Sequence, residues 1–151
     1  MGHIHHTAVA DVPVDIAFAF VDDYRTVPNW MFGISRFEPI GERDHGLGAT
    51  YNATMNIGPK ALKSVVEVTE WTQDEVIAIE SIKGMSNSST WRFEPVGEGQ
   101  TRLTVDFRYN LPGGLAGKAL AAIVEPVVGG AIRHTEAKLR AQVEAHHAAA
   151  G

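Results

Sequence analysis

The chain has no cysteine, which excludes a disulfide framework, a thiolate metal site and a cysteine nucleophile. No apolar run approaches the roughly 20 residues of a membrane-spanning helix, so we expect no stable membrane insertion. The N-terminus has no basic region followed by an apolar stretch, so we expect no signal peptide and a cytoplasmic location. The 13 Lys and Arg residues are scattered and the formal net charge is −5. Nucleic-acid binding, which depends on basic patches, is therefore disfavoured.

The 151 residues suit one domain with a substantial core, and we assign residues 1–151 to it. Alternation over Gly2–Ala10 predicts an edge strand. A short amphipathic helix follows over Val14–Asp22, with Pro13 at its start. Tyr24–Trp30 is predicted as a second short helix or turn, which Pro28 ends or bends.

After Trp30 the hydrophobic period changes to two, which is typical of half-buried strands. The predicted strands are Ile34–Gly41, Ala49–Ile57, Leu62–Trp71, Glu75–Ile82, Ser89–Glu94 and Arg102–Tyr109. They are separated by turn or loop signals at Gly58–Pro59, Thr72–Asp74, Lys83–Asn87 and Gly97–Gly99.

The last predicted element is a long helix from Leu115 to about His146, kinked at Pro126 and weakened by Gly129 and Gly130. An apolar stripe runs along it. The stripe comprises Leu120, Val124, Val127, Val128, Ala131, Ile132, Leu139 and Val143. Helices at both ends of a run of strands predict an α+β fold with an antiparallel sheet.

Four groups of motifs follow one another along the chain. They are Val12–Pro13 with Ala17–Phe18, Asp23–Trp30, Trp91–Pro95 followed by Gly99–Thr104, and Leu111–Leu115. In their order and spacing these motifs resemble the START-like (SRPBCC, Bet v 1-like) superfamily, and more narrowly the bacterial polyketide cyclase/dehydrase and lipid-transport family. The resemblance covers nearly the whole chain.

The resemblance implies a helix-grip fold: a curved antiparallel sheet of six to seven strands around a long C-terminal helix, with two short helices after the first strand. It also implies a cavity between sheet and helix. Members bind lipids, sterols or polyketides, and a minority catalyse cyclisation or dehydration. The group shares no catalytic motif, so we assign no catalytic residue. The sequence also has no Gly-x-Ser-x-Gly elbow, no phosphate-binding glycine loop and no dinucleotide fingerprint, and we expect no cofactor and no metal.

Most of the candidate ligand-binding residues lie on the inward faces of the strands, where apolar side chains are accompanied by a few polar groups. They are Trp30, Met31, Tyr51, Met55, Val66, Val68, Ile79, Trp91, Phe93, Phe107, Tyr109, Val127 and Val128. Any one of them also suits plain core packing. Trp30 to Phe32 either cap the core or form one lip of the cavity, and Pro126 to Gly130 form either a mobile entrance or a fixed kink.

The leading hypothesis is binding or transport of a hydrophobic small molecule, lipid or polyketide-like. The alternative is a polyketide cyclase/dehydrase-type enzyme, whose acid–base candidates are Tyr51, Tyr109, Glu70 and His134. The direction in which Glu70 points stays open. A third hypothesis is a stress-response or toxin-like interaction module with an exposed apolar patch. A homodimer through the sheet edge or the final helix is possible.

The clustered histidines near the N-terminus do not predict a metal site. His3 and His5 share a face at strand spacing, but a zinc site needs three or four convergent ligands. The sequence specifies no Asp or Glu partner for them.

Overall fold

The computed structural model describes residues 2–31, 34–57, 60–84, 86–110, 133–135 and 137–148, together with 118, 122 and 130. Within these ranges, seven strands form one antiparallel sheet in the order β1-β7-β6-β5-β4-β3-β2. They are β1 Gly2–Ala10, β2 Ile34–Ile40, β3 Thr50–Ile57, β4 Lys60–Thr72, β5 Val76–Gly84, β6 Ser86–Pro95 and β7 Thr101–Asn110. The prediction that Gly2–Ala10 is an edge strand is confirmed, since β1 lies at one end of this order, next to β7.

Two short helices follow β1, as the sequence predicts. Helix α1 spans Val14–Asp22, a 3₁₀ turn spans Tyr24–Thr26, and helix α2 spans Val27–Trp30. The role predicted for Pro28 was wrong. It lies in the first turn of α2, where the N–H that proline lacks would have no partner within the helix, so it helps to start this helix.

The loop predicted over Lys83–Asn87 was also wrong, because β5 continues to Gly84 and β6 begins at Ser86. Gly84 has a φ of +84°, and a Cβ there would overlap the backbone carbonyl of Lys63. Glycine thus acts here within a strand, where it allows β4 to approach closely. The hairpin predicted at Gly97–Gly99 is confirmed, since β6 and β7 pair on either side of it. The predicted turn at Gly58–Pro59 lies outside the described residues.

The C-terminal helix is described at residues 118, 122, 130, 133–135 and 137–148, in agreement with the long helix that the sequence predicts. Leu139 is fully buried and Val143 nearly so. Both belong to the core formed by α1 and the inner face of the sheet. The predicted kink at Pro126 lies outside the described residues, as do the stripe residues between 120 and 132.

The outer face of the sheet carries polar cross-strand pairs. Arg102 on β7 pairs with Glu94 on β6, with an Nη1–Oε1 distance of 3.1 Å. The inner face packs under the helices. Across the described part of the chain, no helix is both long enough and apolar enough to cross a membrane.

Candidate functional site

The strand register arranges the inner face of the sheet in rows. One row joins Val68, Ile79, Ser89 and Phe107, each residue pairing with the next across β4, β5, β6 and β7. The row ends on β1 at Ile4, which pairs with Phe107. Val68, Ile79 and Phe107, which were predicted from three different strands, therefore share one row of this face.

Most of the predicted ligand-binding residues are shielded from solvent. The buried ones are Trp30, Tyr51, Val66, Val68, Trp91, Phe93 and Tyr109. The half-buried ones are Met31, Met55, Ile79 and Phe107. Val127 and Val128 lie outside the described residues.

An aromatic cluster fixes the short helices to the sheet. The rings of Trp30 and Trp91 meet edge to face with centroids 5.2 Å apart, and those of Phe18 and Phe93 do the same at 5.2 Å. The indole of Trp30 donates a hydrogen bond to Thr26 Oγ1 at 3.0 Å. Trp30 is thus satisfied within the fold, which favours its role as a cap on the core.

The phenol of Tyr51 is held by the loop that joins β2 and β3. Its hydroxyl donates to the Asp44 carbonyl at 2.6 Å, and its ring stacks on Phe37 with centroids 4.5 Å apart. Burial, followed by the negative charges of Asp22 and Asp44, raises the pKa of Tyr51 above its ordinary value of 10.0. This phenol is therefore a neutral donor whose proton already has an acceptor.

The candidate acid–base residues are not gathered at one point. Tyr51 on β3 and Tyr109 on β7 are four strand spacings apart, about 19 Å along the sheet. Glu70 and His134 are exposed. A bulge between Val68 and Glu70 explains why alternation could not orient Glu70, since an extra residue switches the face on which the following side chains lie.

Two polar residues outside the predicted ligand-binding set lie on the inner face. His6 is half-buried and pairs with Val105, which in turn pairs with Trp91. Ser89 accepts a hydrogen bond from the Trp91 indole at 3.2 Å. Strict alternation along β1 and β6 would have found His6 and Ser89, because they share the faces of Ile4 and Trp91.

His3 and His5 lie on the outer face and share one carboxylate oxygen. His3 Nε2 and His5 Nδ1 are 3.0 Å and 2.9 Å from Asp106 Oδ1. The hydrogen bond from His5, and to a lesser extent that from His3, holds the pKa of Asp106 below its ordinary value against the opposing effect of partial burial. Within the described ranges, no group of three or more His, Asp or Glu residues is placed to hold a metal ion.

The inner face is filled at the end nearest residue 139. A void of only about 10 Å³ remains there, bounded by residues that include Phe93, Leu103, Leu139 and Val143. That volume is at the lower limit for a single water molecule. Further along the same face, Ile79, Ser89 and Phe107 are only half-buried.

A curved antiparallel sheet that packs on a C-terminal helix, with short helices after the first strand, is the helix-grip fold. The chain belongs to the family described as polyketide cyclase / dehydrase and lipid transport, whose model matches residues 1–144. The resemblance inferred from the sequence is confirmed. No curated protein sequence shows significant similarity to this chain.

Solved structures share the fold at low sequence identity. A protein of Thermus thermophilus superposes with a TM-score of 0.81 at 18% identity, covering 96% of this chain and 99% of that one. The Zhui aromatase/cyclase of Streptomyces sp. R1128 gives 0.80 at 18%, covering 99% and 98%. A START superfamily protein of Mycobacterium smegmatis gives 0.71 at 16%, covering 94% and 97%. These similarities establish the fold alone.

Proposed function

We propose that this protein binds a hydrophobic small molecule, lipid or polyketide-like, against the inner face of its sheet. The observation that carries the proposal is the difference between the two ends of that face. Leu139 and Val143 fill one end, whereas Ile79 and Phe107 stay half-buried at the other beside the Ser89 hydroxyl. An apolar surface with a few polar groups is typical of a small-molecule site.

Native mass spectrometry and thermal shift against a panel of lipids and polycyclic aromatic compounds test the proposal. A ligand that binds only the folded state raises the melting temperature, and the rise grows as its concentration exceeds its dissociation constant. A protein that retains no compound and shifts with none of the panel would refute the proposal.

Two matched variants on β5 locate the binding surface. Ile79→Trp enlarges a half-buried side chain on the inner face, and we expect it to abolish ligand binding by filling the space. Ile82→Trp makes the same change at a side chain that is 57% exposed, and we expect wild-type binding. Equal binding by both variants would place the ligand elsewhere.

The second candidate function is a polyketide cyclase/dehydrase-type enzyme, and the position of His6 favours it. Its imidazole lies on the inner face, in the same row as Val105 and Trp91, and histidine suits proton transfer near neutral pH. Incubation with a linear poly-β-carbonyl compound tests this candidate. We expect an enzyme to change the products, and His6→Gln to remove that change while binding is retained. Identical products with and without wild-type protein would exclude it for that compound.

A further inference from the structure

The sheet opens at the end of the β5–β6 hairpin. Pairing between β5 and β6 runs from Val76 opposite Arg92 to Glu80 opposite Ser88, and no further pair forms among the described residues. Each strand nevertheless continues beyond this point on its other neighbour, β5 to Gly84 on β4 and β6 back to Ser86 on β7. The two strands therefore separate while each stays held from outside.

A side chain bridges the separation. The Ser81 hydroxyl accepts a hydrogen bond from the backbone N–H of Asn87 at 3.0 Å, in place of a backbone acceptor. Beside this bridge lies an open cleft of about 120 Å³. Its lining residues are the neighbouring pairs Glu80–Ser81, Asn87–Ser88 and Arg108–Tyr109, with Ser86.

Residues from both faces of the sheet line the cleft. Neighbouring residues of a strand point to opposite faces. Tyr109 is buried on the inner face with Phe107, and their rings stack with centroids 6.0 Å apart. Arg108 is exposed on the outer face. The cleft therefore lies at the boundary between the polar exterior and the inner-face row that holds Ile79, Ser89 and Phe107.

We propose that this opening is a subsite for a carboxylate group of the bound ligand, whose apolar body lies on the inner face. This rests on the proposed function. The guanidinium of Arg108 matches a carboxylate in geometry and charge, and the hydroxyls of Ser86 and Ser88 add donors beside it. Among the described residues, no carboxylate forms an ion pair with Arg108.

The one acid in the lining does not block this arrangement. Glu80 lies on β5, two strand spacings or about 10 Å from Arg108 along the sheet, with Ser88 between them. A carboxylate beside Arg108 is thus closer to the cation than to Glu80. The cleft is too small for a whole lipid, so only the head of such a ligand fits it.

The first test compares 2-naphthoate with 2-naphthamide, which share the ring system and differ in charge. We expect Arg108→Gln to weaken naphthoate binding about tenfold and to leave naphthamide binding within about twofold. The control is Arg92→Gln. Arg92 is also exposed, it forms no ion pair among the described residues, and it does not line the cleft. Equal losses for both compounds, or an equal effect of both substitutions, would overturn the carboxylate subsite.

The second test uses the absence of cysteine from the chain. Ser81→Cys and, separately, Ser88→Cys each introduce a single thiol into the cleft, and Ser35→Cys introduces one on the exposed part of β2 as a control. We expect saturating naphthoate to slow alkylation of either thiol in the cleft at least several-fold. Alkylation of the control thiol on β2 should proceed at the same rate with and without naphthoate.

The outcomes separate the two proposals. Naphthoate that binds wild-type protein but protects neither thiol in the cleft would overturn the subsite and leave the proposed function standing. If the Ser81 variant does not fold, the Ser88 variant decides the result. If neither naphthoate, naphthamide nor any compound of the lipid panel binds wild-type protein, both proposals fail.

Discussion

Truncation of Leu139 tests how tightly the C-terminal helix packs on the sheet. This side chain has no exposed surface, and Phe93 and Leu103 are among its neighbours around the small void. The void has room for about one water molecule at most, so the packing around Leu139 is already tight. Leu139→Ala shortens the side chain to a methyl group and leaves a cavity lined by apolar groups.

The expected cost follows from burial and cavity formation together. Leu→Ala substitutions in packed cores lower the free energy of unfolding by about 2–5 kcal/mol. We expect about 3 kcal/mol here, because the tight neighbours restrict collapse into the space. For a chain of this length that loss lowers the melting temperature by about 6–12 °C.

Urea unfolding followed by circular dichroism measures the loss. The midpoint should fall while the slope of free energy against urea stays the same, as expected for a change in stability alone. Leu47→Ala is the matched control, since Leu47 is 57% exposed and its truncation should change stability by no more than about 0.5 kcal/mol.

Equal urea midpoints for the Leu139 and Leu47 variants would refute the reasoning. They would mean that the helix does not bury Leu139 against the sheet in solution. The half-filled inner face, on which the proposed function depends, would then lose its support as well.

Three further predictions concern single groups. The raised pKa of Tyr51 contributes stability that is complete below about pH 10 and is lost as the pH rises beyond it. The urea midpoint of Tyr51→Phe should therefore fall less than that of the wild type between about pH 9 and 11, and an equal fall for both proteins would contradict this. The lowered pKa of Asp106 contributes stability above about pH 4 that is lost on acidification. His5→Gln should raise this pKa towards 3.8 in a carboxyl NMR titration, and an unchanged titration would contradict the role of His5. In urea unfolding, Gly84→Ala should destabilise the protein by at least about 2 kcal/mol more than Gly99→Ala does. Both glycines have a positive φ, but of the two only Gly84 faces a backbone carbonyl, so equal losses would contradict the close approach of β4.

The family resemblance has different weight for fold and for function. A match over residues 1–144 places the chain in its family, and structures at 15–18% identity share its architecture. Neither determines a ligand, because one fold carries many functions in its sites. The ligand chemistry therefore has to be argued from side chains such as Arg108, Ser89 and His6.

Local patterns in the sequence determined most of the secondary structure. Period-two alternation located the strands, and the spacing around Val14–Asp22 predicted the first helix with the bounds that the structure shows. The errors arose where a residue has two local roles. Pro28 is compatible with either end of a helix, and Gly84 with either a loop or a close approach between strands.

Only the tertiary structure decided which residues meet. The opening between β5 and β6, the position of Arg108 beside the serines, and the shared carboxylate of His3 and His5 all depend on strand register. Register follows from pairing across the whole sheet, so residues about 100 positions apart become neighbours without any local signal. The sequence by itself determined the elements and the class of fold, and the packing of those elements determined the site.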